Sequence, residues 1–221
     1  MVALAVHMMG QLNDARFETL LTDFGLANLD SSADTVYAIR PDRTLVYVND
    51  GWFRFAAANG VPDRFFEQWP LGCSIDTVIP EPLRPFFAEQ FERCLQTRCP
   101  WQHYYECSTA TVFREYVMTT YPLGLGEGLL VVHSLVRQAK HERKVEAPLE
   151  SNYRNQDGMI IQCVQCRRVQ RASRDVAWDW VPDWIEKYPR NTSHGLCDTC
   201  FVHYYPPGSP PLAGKSPIFR T

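Results

Sequence analysis

The sequence predicts an α+β protein in two parts: a five-stranded antiparallel sheet with helices on one face, then a small C-terminal module organised around four cysteines. Three observations predict it. Strand-like runs rich in Val, Thr, Tyr and Trp come in two groups, Thr35–Val48 and Trp101–Val136, separated by one helical block. Formal charge divides the chain: residues 1–136 carry 9 Arg, no Lys and 16 Asp or Glu (9 − 16 = −7), whereas 137–221 carry 13 Lys or Arg and 9 Asp or Glu (13 − 9 = +4). The 8 cysteines also divide, into Cys73, Cys94, Cys99 and Cys107, scattered, and two tight pairs, Cys163 with Cys166 and Cys197 with Cys200.

The elements follow in order. The opening MVALAVHMMG is weakly apolar without a basic start and reads as a frayed leader, not an export signal. Residues 13–29 read as one amphipathic helix, capped by Asn13 or Asp14, with Phe17, Leu20, Leu21 and Phe24 at helical spacing. Thr35–Arg40 and Thr44–Val48 flank the turn Pro41-Asp42-Arg43 as a hairpin. Asn49-Asp50 opens a short helix, GWFRFAAANG, closed by Asn59-Gly60. Glu81–Gln96 is a second helix with Pro82 and Pro85 in its first turn and Leu83, Phe87, Phe91 and Cys94/Leu95 as its apolar stripe. Trp101–Cys107, Val112–Leu123 and Gly128–Val136 complete the strands, the last two joined by a Gly-rich turn.

Such a sheet, curled around its helices, encloses a pocket. Phe55, Phe87, Phe91, His103, Tyr105, Tyr116 and His133 are the candidates to line it, each with the plainer alternative of a packed core aromatic or a hydrogen-bonded histidine. His103 and His133 are also the candidate axial ligands for a haem.

Composition sets the limits. At 45% hydrophobic and 21% charged residues, with a mean hydropathy of −0.28, the chain is neither disordered nor fibrous. No apolar run approaches the roughly 20 residues of a membrane-spanning helix. A net charge of −3 excludes a strongly basic nucleic-acid coat. With no export signal and a sizeable core, the cysteines are expected to be reduced, in the cytoplasm. There is no P-loop, G-x-S-x-G or H-E-x-x-H, and the chain ends before a kinase module could follow, so no enzyme is expected.

Residues 32–136 resemble a Per-Arnt-Sim (PAS) sensor domain, in DTVYAIRPDRTLVYVNDGWFRFAAANG, EPLRPFFAEQFERCL and YYECSTATVFREYVMTTYPLGLGEGLLVVHSLV. The resemblance implies a cytoplasmic input module that binds a small ligand or cofactor, or dimerises, and biases its flanking helices. Residues 1–31 then match the N-terminal flanking helix that pairs two protomers. Cys73, in LGCSID, lacks the surroundings that a flavin-adduct photosensor needs, so the resemblance leaves the ligand open.

The second part carries the stronger chemistry. Two C-x₂-C knuckles, separated by the 30 residues 167–196, supply four thiolates that can reach one ion at about 2.3 Å in tetrahedral geometry. Cys163, Cys166, Cys197 and Cys200 are therefore the expected ligands of a structural zinc. A redox dithiol or unliganded buried thiols are the alternatives. His194 is a possible substitute ligand or a residue that steadies the turn. A module of about 40–60 residues needs such a staple, and VAWDWVPDWIEKY (176–188), with three Trp, supplies its apolar centre. IIQCVQCRRVQ, WDWVPDWIEKYP and SHGLCDTCFVHYY resemble the cysteine segment appended to bacterial sensory proteins, which implies an accessory signalling module at 157–206.

Residues 137–156 read as a charged linker and 207–221 as a disordered tail. The expected function is a bacterial sensor or adaptor, a homodimer through its N-terminal helix and PAS-like domain, relaying to another signalling protein by contact and free of membranes. The alternative is a zinc-ribbon nucleic-acid binder, with Arg167, Arg168, Arg171 and Arg174 on phosphates.

Overall fold

The computed structural model describes residues 10–59, 71–173 and 176–207. β1 (Gln11–Leu12), β2 (Thr35–Ile39), β3 (Leu45–Val48), β4 (Trp101–Glu106), β5 (Val112–Leu123) and β6 (Gly128–Lys140) form a six-stranded sheet in the order β1-β3-β2-β6-β5-β4. β2 pairs antiparallel with β3 and with β6, Tyr37 standing opposite Val48 on one side and Val131 on the other. The five expected strands are all present. β1, which adds a sixth by pairing Gln11 with Val48 and Leu12 with Tyr47, is too short to show a period in sequence.

Two compact units divide the chain. The first takes 1–79, 89–103 and 117–134; the second takes 80–88, 104–116 and 135–221.

In the first unit, alternation along β2 sends Val36 and Ala38 to one face and Tyr37 to the other. Val36 and Ala38 join Val46, Tyr47, Leu123 and Leu130 in a core that takes Phe17 and Leu21 from α1 (Ala15–Leu21). Asp14 caps α1, accepting from the Arg16 N–H at 3.0 Å, and also holds Arg40. On the opposite face, Tyr37 meets the edge of Trp52 on α3 (Asp50–Ala58), ring centroids 5.3 Å apart.

The single helix expected over 13–29 is corrected. α1 stops at Leu21, a 3₁₀ turn spans Thr22–Phe24, Gly25 stands at φ 72°, and the chain restarts as α2 (Leu26–Ser31). A left-handed residue cannot continue a right-handed helix, and the helical period of the flanking apolar residues hides the break. Phe17 and Leu21, at 2% and 0% exposure, lie in the chain's own core, which removes them from any surface that a second protomer could reach.

Gly128 makes that core possible. A Cβ there would stand 2.5 Å from the Phe17 ring and 2.8 Å from the Ile39 carbonyl oxygen. Gly128→Ala should therefore destabilise the protein by about 1–3 kcal/mol through overpacking. Thermal unfolding measures it, and an unchanged midpoint would show that Phe17 can swing aside.

The second expected helix begins as a 3₁₀ turn, Glu81–Leu83, and continues as α4 (Arg84–Thr97). Leu83, Phe91 and Cys94 of its stripe are buried, and Phe87 is half-buried.

The second unit holds a four-stranded sheet, β10-β7-β8-β9, made of β7 (Ile160–Cys163), β8 (Val169–Gln170), β9 (Trp178–Asp179) and β10 (Thr192–Gly195). Tyr153, Ile160, Val169, Val181 and Trp184 form its core, and α5 (Asp198–Tyr204) follows. Trp184 thus takes the central place that the Trp-rich segment implied.

The segment 137–156 is not a bare linker. β6 continues to Lys140, Val145 bridges Trp180, a 3₁₀ turn spans Glu150–Asn152, and Tyr153 is core. Charge density marks the exposure of this stretch, not a lack of backbone pairing: residues 136–138 are exposed although they are in a strand. The opening nine residues, the closing Gly60 and the tail beyond 207 lie outside the described residues. No helix of the described residues is long and apolar enough to cross a membrane.

Candidate metal centre

Both knuckles are made by ordinary backbone rules. Cys163 ends β7, and the chain turns back into β8 through Val164–Arg168, with the Arg167 N–H bonded to the Cys163 carbonyl at 3.0 Å and the Cys163 N–H to that of Arg168 at 2.8 Å. Arg167 sits at φ 61°, which lets the turn close. β10 runs parallel to β7 in a register that sets Gly195 opposite Cys163. The chain then delivers Cys197 as the cap of α5 and Cys200 in that helix's first turn. The long spacer between the knuckles is thus filled by β8, β9, a 3₁₀ turn at Pro182–Trp184 and β10.

The four sulfurs all lie within 4.8 Å of one another, and Cys166 Sγ is 3.6 Å from Cys197 Sγ. Four sulfurs at about 2.3 Å from one tetrahedral ion stand about 3.8 Å apart, so the cluster has the size of one coordination sphere. Cys163, Cys166, Cys197 and Cys200 are 0%, 5%, 2% and 9% exposed. Hydrogen bonds from Cys166, then Cys197 and Cys200, hold the Cys163 thiol well below its ordinary range, whereas the Cys200 proton is retained by its bond to Cys163. Four soft donors, clustered and shielded, fit a thiophilic ion and leave no position for a substrate water.

His194 is exposed and outside the four-sulfur group, its ring edge-on to Tyr188 at 5.4 Å. Partial desolvation of the ring, and then the Arg167 charge, lower its pKa.

Within the same unit the first knuckle is bonded to β4. Gln165, between the two cysteines, donates from Nε2 to the Glu106 carbonyl at 2.9 Å and accepts from the Tyr204 hydroxyl at 2.6 Å. Arg143 pairs with the Glu106 carboxylate, donates to the Cys166 carbonyl at 3.2 Å and lies over the Trp180 ring at 4.7 Å. His203 bonds the Tyr104 carbonyl at 3.0 Å, and the Tyr205 hydroxyl donates to that of Pro82 at 2.7 Å. Sequence reading missed this set, because no spacing rule links Glu106 or Arg143 to a cysteine knuckle.

The seven pocket candidates fall into several groups. In the first unit, Phe91 meets Trp101 at 6.4 Å, and Trp101 stacks on His103 at 5.6 Å. His133 stacks on Tyr37 at 5.5 Å, and burial pulls its pKa down to about 4, so the ring is neutral near pH 7. Phe55 is half-buried on α3. In the second unit, Phe87 meets Phe86 and Tyr204, and Tyr105 stacks on Tyr116 at 5.8 Å. Tyr37 and Trp101, which organise two of these groups, were legible as aromatics in strands but not as their centres.

Of the arginines read as phosphate contacts, Arg171 is paired with Asp179 and with Glu146. Arg174 lies outside the described residues.

An antiparallel sheet interrupted by one helical block, with helices against it, defines the class: an α+β fold, joined to a cysteine cluster able to hold a metal. No known family profile and no curated protein matches the chain. Solved structures match it at low identity. The phage VqmA–DPO complex is 16% identical over 54% of this chain and 53% of that one, TM-score 0.39, so the chain spans about half its length. The photoactive yellow protein domain from the sensor histidine kinase Ppr of Rhodospirillum centenum is 11% identical over 52% and 95%, TM-score 0.36. The PAS domain from Bordetella pertussis BvgS is 19% identical over 52% and 84%, TM-score 0.34.

Proposed function

We propose that the protein is a non-enzymatic cytoplasmic sensor or adaptor, in which a PAS-like domain is read out through a structural zinc module by contact with another signalling protein. The observation that carries this reading is the four-sulfur cluster whose first knuckle is hydrogen-bonded to β4 through Gln165 and Arg143. A shift of β4 moves the Glu106 carbonyl and carboxylate, and both are tied to the knuckle. The ligand or cue on the PAS-like side is a small molecule or a partner of unassigned identity. The ion pairing of Arg171 favours protein contact over phosphate contact, because that charge is already neutralised.

Metal analysis with an absorption spectrum of the purified protein tests the reading. Expected are about one zinc per chain, as one closed four-thiolate site requires, and no haem or flavin band. Anisotropy titration with mixed-sequence DNA at low salt should show no salt-sensitive binding. A chain purified with no metal and with tight, steeply salt-dependent DNA binding would overturn the proposal in favour of a nucleic-acid regulator.

A further inference from the structure

Two of the scattered cysteines share one surface groove of the first unit. α4 ends at Thr97, Arg98 takes φ 56°, and its N–H returns to the Cys94 carbonyl at 3.0 Å, so the chain reverses over the last helical turn. The reversal lays Cys99 across Cys94. The Cys94 thiol donates to the Cys99 carbonyl at 3.1 Å, and that of Cys99 to the Thr97 carbonyl at 3.5 Å. Cys94 is 2% exposed, whereas Cys99 is open to solvent. Beside them lies a cavity of about 170 Å³ lined also by Gln90, Arg93, Thr97 and Trp101. Its one charged lining residue is Arg93, among the described residues.

We infer that this groove is a thiol-exchange site, in which Cys99 takes up half of a small carboxylate-bearing disulfide and Cys94 then displaces it. Exposure gives Cys99 the first step: its thiolate attacks one sulfur of RS–SR, the S–S bond breaks, and RS⁻ leaves and takes a proton. The bound half fits the cavity with its carboxylate on Arg93. Cys94 then loses its proton and attacks Cys99 Sγ, forming the Cys94–Cys99 disulfide and releasing the second RSH. The two cysteines are oxidised by two electrons, and one disulfide is reduced to two thiols. Cys94 suits the second role: burial and then Cys99 raise its thiol pKa, so it is a poor first nucleophile, yet it already touches the backbone of Cys99.

The test uses the full, metal-loaded chain, glutathione disulfide as probe and peptide mass mapping as readout. Reaction is expected first at Cys99, ending in a Cys94–Cys99 disulfide, with Cys73 and Cys107 slower. Cys94→Ser should leave the glutathione adduct standing on Cys99, and Cys99→Ser, a change at an exposed site, should abolish the reaction at both positions. Reversing the charge with Arg93→Glu should slow reaction with glutathione disulfide by about tenfold and leave the rate with cystamine, which has no carboxylate, undiminished. Reaction at Cys99 no faster than at Cys73, a persistent Cys99 adduct in the unsubstituted protein, or an Arg93→Glu effect equal for both probes would each overturn the inference.

Discussion

Asn49→Ala is expected to destabilise the first unit by up to about 4 kcal/mol, reckoning roughly 1 kcal/mol for each of the four hydrogen bonds its side chain makes. Asn49 is 0% exposed, and its amide is fully engaged. Oδ1 accepts from the Val36 N–H at 2.9 Å and the Trp52 N–H at 3.0 Å; Nδ2 donates to the Leu29 carbonyl at 3.0 Å and the Asp34 carbonyl at 2.9 Å. One side chain thereby caps α3, holds the start of β2 and ties down α2 at Leu29. The alanine variant removes the side-chain partner of the Val36 N–H and of the Asp34 carbonyl, while the Trp52 N–H keeps the Asn49 carbonyl at 3.2 Å and the Leu29 carbonyl keeps the Ser32 N–H at 3.3 Å. A lost partner is the expensive half of hydrogen bonding. Since domains of this size hold a margin of about 5–15 kcal/mol, the variant should sit near the edge of folding. Asn49→Asp keeps the acceptor but turns an anion toward two carbonyl oxygens, so it should rescue little. Urea unfolding followed by tryptophan fluorescence gives the difference directly. A loss below about 1 kcal/mol would mean that water replaces these bonds and that the residue is only a helix cap.

This residue also shows how far the sequence could be read. Asn49-Asp50 before an apolar run is a helix-start signal, and α3 begins there. The cap is local, so it was legible; the bonds to Leu29 and Asp34 come from tertiary placement and were not. Gly51 follows the same logic. A Cβ on it would stand 1.9 Å from the Asp34 carbonyl oxygen, a constraint set by a loop that arrives from elsewhere in the chain. Strand positions were legible because β-branched and aromatic residues alternate over four or more positions, whereas the two residues of β1 carry no period. The helix over 13–29 misled because its apolar spacing survives a break at Gly25. The cysteine cluster was the most legible feature, since two residues between two thiols is itself a geometry. Pocket candidates were the least legible: an aromatic type says nothing about which of two faces of α4, or which end of β4, it will occupy.

Stripping the metal should unfold the cysteine module while the first unit stays folded. The module's core is small, centred on Tyr153, Ile160, Val169, Val181 and Trp184, and structural zinc in comparably small modules supplies about 10–16 kcal/mol, more than such a core can replace. Cys197→Ser or a strong chelator should therefore abolish hydrogen-exchange protection over 158–205 and leave Val36, Ala38 and Leu130 protected. The pH dependence has a fixed sign. Metal-bound thiols titrate below the ordinary thiol value near about 8.5, so their contribution to stability is present above that value and fades as pH falls and protons compete for sulfur. Acidification should thus release metal and unfold the module together, in one step seen both by a zinc-sensitive dye and by Trp184 fluorescence. A module that keeps its exchange protection after chelation would show that packing alone holds it, and the sulfurs would then have to be explained by redox chemistry instead.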